Sequence, residues 1–330
     1  MRAVQFEAGC GPDGLKIVEE AVPVLKTGEI LLKVFASAIN RADTLQRKGL
    51  YPAPQGESKI LGLEASGAVE LVPSALADCP WKPGDRVMAL LPGGGNAQYV
   101  AVQADHLMPI PDCLSFEEAA AVPEVWLTAY QLLNRIAEIE DGESVLVHAA
   151  ASGVGTAAIQ LIAQLHNGVV FGTVGSRKKA DFITALGATH AVQYKTEDFD
   201  SYVMERTNGE GVQIVLDPVG GSYWQKNLRS LATDGRWVVY GALGGTQIDG
   251  NLLGPLLRKR IKIQGTTLRA RSNQYKAQLV ADFTKEVLPE FKSGKLKPVI
   301  DQVITLDKLA QGHTRMENNE NMGKIVVQIN

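Results

Sequence analysis

Residues 144–162, which read SVLVHAAASGVGTAAIQLI, decide the fold. An apolar strand runs into a turn of small residues and then directly into a helical pattern that begins near Val154. Small residues let the backbone approach a pyrophosphate, and the free amides at the start of the helix hold its negative charge. The stretch therefore predicts a dinucleotide site made by Ser152, Gly153, Val154 and Gly155.

The glycine fingerprint in this turn is imperfect. The six positions of G-x-G-x-x-G are occupied by residues 150–155, AASGVG. A tight strand-to-helix turn without a ligand therefore remains open as an alternative. A hydrolase nucleophile elbow, G-x-S-x-G, is disfavoured because it requires glycine where the chain has Ala150 and Val154.

The pattern around this stretch predicts two domains, since 330 residues exceed the usual size of one hydrophobic core. From residue 123 to 268, apolar strands alternate with helices, which is typical of an α/β domain with a parallel, doubly wound Rossmann sheet. Residues 1–122 contain short strands separated by glycine and proline and predict a β-rich domain. Residues 269–330 end in the strand KIVVQIN, which we expect to complete that first domain.

Two longer helical patterns are present. SFEEAAAVPEVWLTAYQLLNRIA opens with a capping box formed by Ser115 and Glu118, and it bridges into the second domain. VADFTKEVLPEFKSG lies within the last sixty residues of the chain. Each pattern is expected to form a helix.

The strand that follows the turn, GVVFGTV, ends in the residues GSRKK, numbers 175–179. An acid at this position would accept hydrogen bonds from the ribose 2'-hydroxyl of NAD, whereas a hydroxyl with cationic side chains attracts the 2'-phosphate of NADP. The sequence therefore predicts NADPH, although the same cations are also typical of a solvated helix start. Two later strands end in Gly-rich turns, VLDPVGG and VVYGALGG, and are expected to border the nicotinamide half.

The amino-acid composition limits the classes of molecule that the protein is expected to bind. Basic and acidic residues nearly balance, with a formal charge of -3, so the chain offers no broad positive field for nucleic acid or anionic lipid. The N-terminus has no signal-peptide pattern and no apolar run is long enough to span a bilayer, which predicts a cytoplasmic protein that acts on a small molecule. The three cysteines are far apart and predict neither a disulfide framework nor a cysteine zinc site.

Landmarks along the whole chain resemble the medium-chain dehydrogenase/reductase family, specifically its zinc-free quinone oxidoreductase branch. They are SAINRADTLQRKGLYP, GLEASGAV, KPGDRVMAL, LPGGGNAQY, AAAVPEVWLTAY, HAAASGVGTAAIQL, VLDPVGG and GKIVV. The resemblance implies a GroES-like catalytic domain over residues 1–122 and 269–330, and a Rossmann NADPH-binding domain over residues 123–268. It also implies that no metal is bound, because zinc-dependent relatives carry cysteine and histidine where this chain has Asn40 and Leu63.

The same resemblance implies roles for individual residues. Asn40 would touch the nicotinamide ribose or the acceptor, and Thr128 would lie beside the nicotinamide. From residue type alone, Asn40 also fits a turn-capping amide and Thr128 a helix-face hydroxyl. Tyr51 would contact the acceptor, and a packing aromatic is an equal alternative for it.

Further cofactor contacts follow from the resemblance. Lys179 and Tyr194 would flank the 2'-phosphate, and Ser176 and Arg177 fit the same site. Gly241, in VVYGALGG, and Lys324, in the terminal GKIVV, are expected to complete the set of cofactor contacts.

The expected activity is metal-free transfer of a hydride from NADPH to a quinone or a similar electron-poor acceptor. A dedicated acid is not required, because a hydroquinone anion takes a proton from solvent. Two alternatives stay open: an NADPH-dependent alkenal or enone reductase, and a nucleotide-binding protein without enzymatic activity, as in relatives that serve as crystallins or bind RNA. A homodimer is also expected, in which the strand RIKIQGTT, residues 260–267, pairs with its twin.

Overall fold

A computed structural model describes residues 1–76 and 78–329. The chain forms two compact units. The terminal unit comprises Met1–Leu127 together with the segment from Leu268 onward, and the central unit comprises Thr128–Thr267.

Strands and helices alternate through the middle of the chain, whereas strands predominate between Arg2 and Pro109. The strands are β1 (Arg2–Gln5), β2 (Lys16–Glu19), β3 (Glu29–Ile39), β4 (Glu64–Leu71), β5 (Arg86–Leu90), β6 (Tyr99–Gln103), β7 (Leu107–Pro109), β8 (Ser144–Val147), β9 (Val169–Val174), β10 (His190–Gln193), β11 (Val212–Asp217), β12 (Leu231–Val239), β13 (Lys262–Gly265), β14 (Ile300–Thr305) and β15 (Lys324–Gln328). The helices are α1 (Arg41–Arg47), α2 (Phe116–Ala120), α3 (Pro123–Tyr130), α4 (Gly153–Leu165), α5 (Arg177–Ala185), α6 (Phe199–Arg206), α7 (Trp224–Ser230), α8 (Leu253–Lys259), α9 (Asn273–Glu286), α10 (Leu288–Lys292) and α11 (Leu309–Glu317).

The central unit contains a parallel sheet with the strand order β10-β9-β8-β11-β12-β13. β8 and β9 are mostly buried apolar runs, because a parallel sheet carries helices on both faces. The chain proceeds outward from β8 to β10 and then returns to place β11 beside β8, which creates a switch point between these two strands. The predicted Rossmann sheet is confirmed.

The terminal unit contains a sheet with the order β14-β15-β3-β4-β5-β7, to which β6 adds by pairing with β3. Apolar side chains from β3, β4, β5 and β15 form its core. β15 runs antiparallel to β3, with Ile325 opposite Ile39, so the last strand of the chain completes the sheet that the first strands begin. The predicted β-rich domain is confirmed in its strand content.

The two long helical patterns differ from the prediction, because each is interrupted. α2 ends at Ala120 and α3 begins at Pro123, since proline disfavours helical geometry in the residue before it and has no N–H to continue a helix. α3 then passes into a π-helical turn at Gln131–Ile136. The later pattern divides into α9 and α10.

The capping box at the start of α2 is confirmed. The Ser115 hydroxyl accepts a hydrogen bond from the Glu118 amide at 3.2 Å, and the Glu118 carboxylate accepts one from the Ser115 amide at 2.8 Å. Within residues 1–76 and 78–329, no helix has the length and apolar content needed to cross a bilayer.

Candidate active site

The turn between β8 and α4 has the geometry that a dinucleotide requires. Ser152 caps α4, since its Oγ accepts a hydrogen bond from the Gly155 amide at 3.1 Å. A Cβ at Gly155 would lie 2.5 Å from the carbonyl oxygen of Ala150, so only glycine fits this position. Ser152, Gly153 and Val154 are partly exposed, at a helix start whose first amides have no acceptor within the helix. The amides of Ser152 and Gly155 are already bonded, so the turn offers the partly exposed amides of Gly153 and Val154, at the positively polarised end of α4, to a pyrophosphate.

Four predicted phosphate contacts lie together at the ends of β9 and β10. Ser176 caps α5 by accepting a hydrogen bond from the Lys179 amide, and Arg177, which is 79% exposed, pairs with Asp181 on the surface. Tyr194 follows β10, and its hydroxyl lies 3.0 Å from the position of a Cβ at Gly175. Since β9 and β10 are adjacent and parallel, the two strand ends bring a hydroxyl, cations and a phenol to one place.

Asp217, at the end of β11, organises the first Gly-rich turn. Its side chain is fully buried, and Oδ1 accepts hydrogen bonds from the amides of Val219 at 2.7 Å and Gly220 at 3.0 Å. Gly241 lies in the second Gly-rich turn, where a Cβ would come within 2.8 Å of the Pro218 carbonyl oxygen. The two turns therefore pack closely at this edge of the sheet.

A polar network in the core of the central unit supports the Asp217 turn. The Asn227 amide donates to Asp217 at 3.0 Å, and its oxygen lies 2.7 Å from His148 Nε2. The other ring nitrogen of His148 lies 3.0 Å from the Thr173 hydroxyl. Burial lowers the pKa of His148, so the ring is neutral and serves the packing of the sheet.

In the terminal unit, Asn40 takes part in a buried cluster with Glu64 and Lys324. Asn40 Nδ2 donates to Glu64 Oε1 at 2.7 Å, and Asn40 Oδ1 accepts from Lys324 Nζ at 2.7 Å. The Asn40 side chain is thus held by charged partners on both of its polar atoms. This fixes its orientation more firmly than a turn cap alone would.

Lys324 has no donor left over in this arrangement. Its ammonium lies 2.6 Å from Glu64 Oε1 and 3.0 Å from the Ile39 carbonyl oxygen, in addition to Asn40, and the side chain is 3% exposed. An ammonium has three N–H donors, and all three are used. Lys324 therefore orients Asn40, and its direct contact with a cofactor stays a prediction.

The positions that zinc-dependent relatives use for metal ligands hold no metal donors of that type. Leu63 is buried at 1% exposure beside Glu64, and the Asn40 side chain is engaged as described. In the part of the chain that the structure describes, no group of three or more histidine, cysteine or acidic side chains is arranged to hold a metal ion.

Tyr51 is partly exposed and lies against Arg269, whose guanidinium carbon is 5.5 Å from the centre of the ring. Arg269 is 5% exposed and donates hydrogen bonds to the Pro92 carbonyl and the Gln46 amide oxygen, each at 2.7 Å. Burial raises the pKa of Tyr51 and the negative charge of Glu124 raises it further, so the phenol stays a donor at neutral pH.

Arg269 and Glu124 were not identified from the sequence as site residues. Arg269 begins a short basic run, which in sequence is typical of a solvent-exposed segment. Glu124 lies in the first turn of α3, where acids commonly complement the helix dipole. Thr128 follows Glu124 by four residues in α3 and is partly exposed. The signal for Glu124 is that PEVWLTAY places a single acid among apolar residues.

Glu124 contacts the cluster around Asn40. Its backbone amide donates to Glu64 Oε2 at 2.9 Å. Burial, and then the charge of Glu64, raise the pKa of the Glu124 carboxyl to about 8, against the opposing effects of Lys324 and Arg269. At neutral pH this side chain is therefore mostly a neutral acid.

Comparison with known families supports the two-part organisation. Residues 26–112 match the alcohol dehydrogenase GroES-like domain, and residues 153–285 match the zinc-binding dehydrogenase domain. The predicted GroES-like character of the β-rich part is thus confirmed.

Similar proteins extend over nearly the whole chain. The synaptic vesicle membrane protein VAT-1 homolog of Danio rerio is 32% identical over 99% of this chain and 69% of its own length. The quinone oxidoreductase of Pseudomonas aeruginosa strain PAO1 is 33% identical over 99% of each protein.

Solved structures give the same result. The quinone oxidoreductase of Escherichia coli complexed with NADPH is 30% identical, with a TM-score of 0.89 over 99% of this chain and 100% of that one. The CurK enoyl reductase is also 30% identical, with a TM-score of 0.85 over 100% of this chain and 99% of that one. The chain therefore belongs to the medium-chain dehydrogenase/reductase family of oxidoreductases, where its relatives include quinone oxidoreductases.

Proposed function

We propose that this protein is an NADPH-dependent quinone reductase. The observation that carries the proposal is the chemistry at the end of β9, where Ser176, Arg177 and Lys179 occupy the place that an acid would need for NAD. A doubly charged 2'-phosphate requires hydroxyl and cationic partners. The relative complexed with NADPH, from Escherichia coli, supports the same cofactor.

The residues of the central unit suit this cofactor. The turn at Ser152–Gly155 would hold the pyrophosphate, Tyr194 would lie beside the adenosine phosphate, and the close-packed turn at Gly241 would border the nicotinamide. When bound, NADPH supplies the hydride.

The residues of the terminal unit suit an acceptor that needs positioning. Asn40, fixed by Glu64 and Lys324, presents an oriented amide, and Tyr51 presents a neutral phenol held against Arg269. Rigid polar groups of this kind contribute by holding the reacting atoms in place and by keeping water away. A quinone suits such a site because its flat ring accepts hydrogen bonds through two carbonyl oxygens.

A second candidate is reduction of an activated carbon–carbon double bond. The likeness to the CurK enoyl reductase favours it. The two activities share the cofactor site and differ in the acceptor, so they are separated by measuring NADPH oxidation with a panel of ortho-quinones, para-quinones and enones. Turnover with enones but with no quinone would replace the first proposal by the second.

The cofactor assignment is tested by Lys179→Ala, with Lys178→Ala as the matched control because Lys178 is exposed and adjacent. Removing one charge-assisted contact to the 2'-phosphate costs about 1.5–3 kcal/mol, which raises the KM for NADPH roughly tenfold to a hundredfold. The KM for NADH should stay unchanged in both variants. An equal, small effect of the two substitutions on NADPH would contradict the assignment.

A further inference from the structure

The acceptor needs one proton in addition to the hydride, and the terminal unit contains one carboxyl that suits this task. Three carboxyl groups lie in its polar cluster: those of Asp43 and Glu64, which are fully buried, and that of Glu124, which is partly exposed. Asp43 and Glu64 accept hydrogen bonds on both carboxyl oxygens, although burial still raises the pKa of Asp43. The question is which one keeps a proton.

Both carboxyl oxygens of Asp43 accept hydrogen bonds from backbone amides. Oδ2 accepts one from the backbone N–H of Asn40 at 2.7 Å, and Oδ1 accepts one from the backbone N–H of Gly62 at 2.9 Å. Its side chain is fully buried, so it has no access to an acceptor. Asp43 therefore holds the backbone at the start of α1.

Glu64 is committed to the ion pair. It accepts hydrogen bonds from Asn40 Nδ2, from Lys324 Nζ and, through its second oxygen, from the Glu124 amide. Both oxygens of Glu64 are therefore occupied by donors, and the shortest of these contacts joins Oε1 to the Lys324 ammonium at 2.6 Å.

Glu124 differs from both. Within residues 1–76 and 78–329, its carboxyl makes no hydrogen bond and no ion pair, and it is partly exposed. Its backbone is tied to Glu64, so the side chain starts from a fixed point next to an existing negative charge. When ionised, the Glu124 carboxylate also raises the pKa of the Tyr51 phenol.

Resting on the proposed quinone reductase activity, we propose that Glu124 is the proton donor to the reduced acceptor. The acceptor takes two electrons and one proton as a hydride from NADPH, which leaves a hydroquinone monoanion. The O–H bond of the Glu124 carboxyl then breaks, and an O–H bond forms on the hydroquinone oxygen. The Glu124 carboxylate recovers its proton from water.

The surroundings of Glu124 keep the acid protonated before the step and limit the charge after it. Its pKa of about 8 is raised by burial, by Glu64 and by Asp43, and lowered by Lys324 and Arg269. The charged and titratable groups that face it are Glu64, Lys324, Asp43, Arg269, Tyr51 and Lys276. The three cations in this set, Lys324, Arg269 and Lys276, stabilise the carboxylate that proton transfer creates.

The test begins with the unmodified enzyme and quinone-dependent NADPH oxidation. Because the protonated form is active, kcat should be level below the pKa and should fall as the pH rises from about 7 to about 9. kcat should also fall in deuterium oxide. A flat profile across this range with no solvent isotope effect would overturn the role of Glu124.

Two variants localise the effect. Glu124→Gln should lower kcat about a hundredfold, which is at the low end for general acids because water also protonates a hydroquinone anion. The same variant should lose the alkaline limb of the pH profile, which is the fall in kcat between about pH 7 and about pH 9. Glu124→Asp should retain the limb, and Glu70→Gln, at an exposed site on β4, should leave both unchanged. The KM for NADPH should not move, whereas a merely structural role would lower thermal stability without altering the pH profile.

The outcomes separate the two proposals. Absence of NADPH oxidation with any quinone in the unmodified enzyme would refute the proposed function itself. Quinone turnover whose alkaline limb persists in Glu124→Gln would refute the Glu124 proposal and leave the function standing.

Discussion

His313, on α11, is a buried histidine with no role in the proposed reaction. It is fully buried, and both ring nitrogens lack a hydrogen-bond partner in the described part of the chain. Burial, together with the positive charges of Arg47 and Lys48, lowers its pKa to about 3. The ring is therefore neutral in the folded protein at every pH at which the enzyme would work.

This histidine predicts a loss of stability in mild acid. Between about pH 6.5 and about pH 3 the unfolded chain binds a proton that the folded protein does not, so the free energy of unfolding falls as the pH falls through this window. At pH 5 the loss relative to pH 7 is about 2 kcal/mol from this group. In His313→Leu, the decrease in the free energy of unfolding between pH 7 and pH 5, measured by urea denaturation, should be smaller by this amount. An unchanged pH dependence in that variant would contradict the assignment.

At the residue scale, the predicted phosphate contacts can be identified in the sequence, whereas the polar cluster around Glu64 cannot. Ser176, Arg177 and Lys179 are neighbours in the chain, so their pattern survives without a structure. Glu64 and Lys324 belong to distant segments, and they meet because β3 pairs with both β4 and β15. Glu124 joins them from α3 through the hydrogen bond of its backbone amide to Glu64. No local pattern encodes these long-range contacts, so in the sequence Glu124 resembles an ordinary acid in a first helical turn.

At the element scale, the close packing of the turn between β8 and α4 predicts that a substitution at Gly155 weakens NADPH binding. Gly155→Ala places a Cβ within 2.6 Å of the carbonyl oxygens of Ala149 and Ala150, so the turn must open. We expect NADPH binding at least about tenfold weaker and a loss of about 1–3 kcal/mol of stability. Titration of NADPH and denaturant unfolding measure the two effects.

Gly11→Ala is the control for this prediction. The backbone of Gly11 has a φ of -72°, and no atom lies within 4 Å of its added Cβ. NADPH affinity in Gly155→Ala equal to that of the control would show that the turn does not hold the pyrophosphate.

The elements also differ in how far their bounds follow from sequence. The strand–turn–helix order predicted for residues 144–165 agrees with the observed β8 and α4. The agreement is close because the sequence changes sharply there from a short apolar strand to small residues and then to an amphipathic helix. The bridge from α2 to α3 was less predictable, since its apolar spacing continues through Pro123 while the backbone does not. The π-helical turn at Gln131–Ile136 has no signature in composition.

At the scale of the whole molecule, we expect a homodimer formed through β13. This strand ends the central sheet, all four of its residues are exposed, and Ile263 presents an apolar side chain at 39% exposure. An open strand edge with an apolar residue is a template for pairing with a second copy.

Ile263→Glu should convert the dimer to a monomer, because the two-fold axis would bring like charges together at the paired edges. Val303→Glu, at an exposed position on β14, is the control and should leave the mass unchanged. Sedimentation equilibrium at micromolar concentration measures the outcome. A monomer in the unmodified protein would refute the predicted dimer.

The proposed function is tested most directly by the rate of NADPH oxidation by the purified protein with ortho- and para-quinones, with NADH measured in parallel. We expect quinone-dependent turnover in which kcat/KM for NADPH exceeds that for NADH by at least about tenfold, the equivalent of one lost phosphate contact. Tight binding of NADPH without turnover, or equal use of NADH, would contradict it.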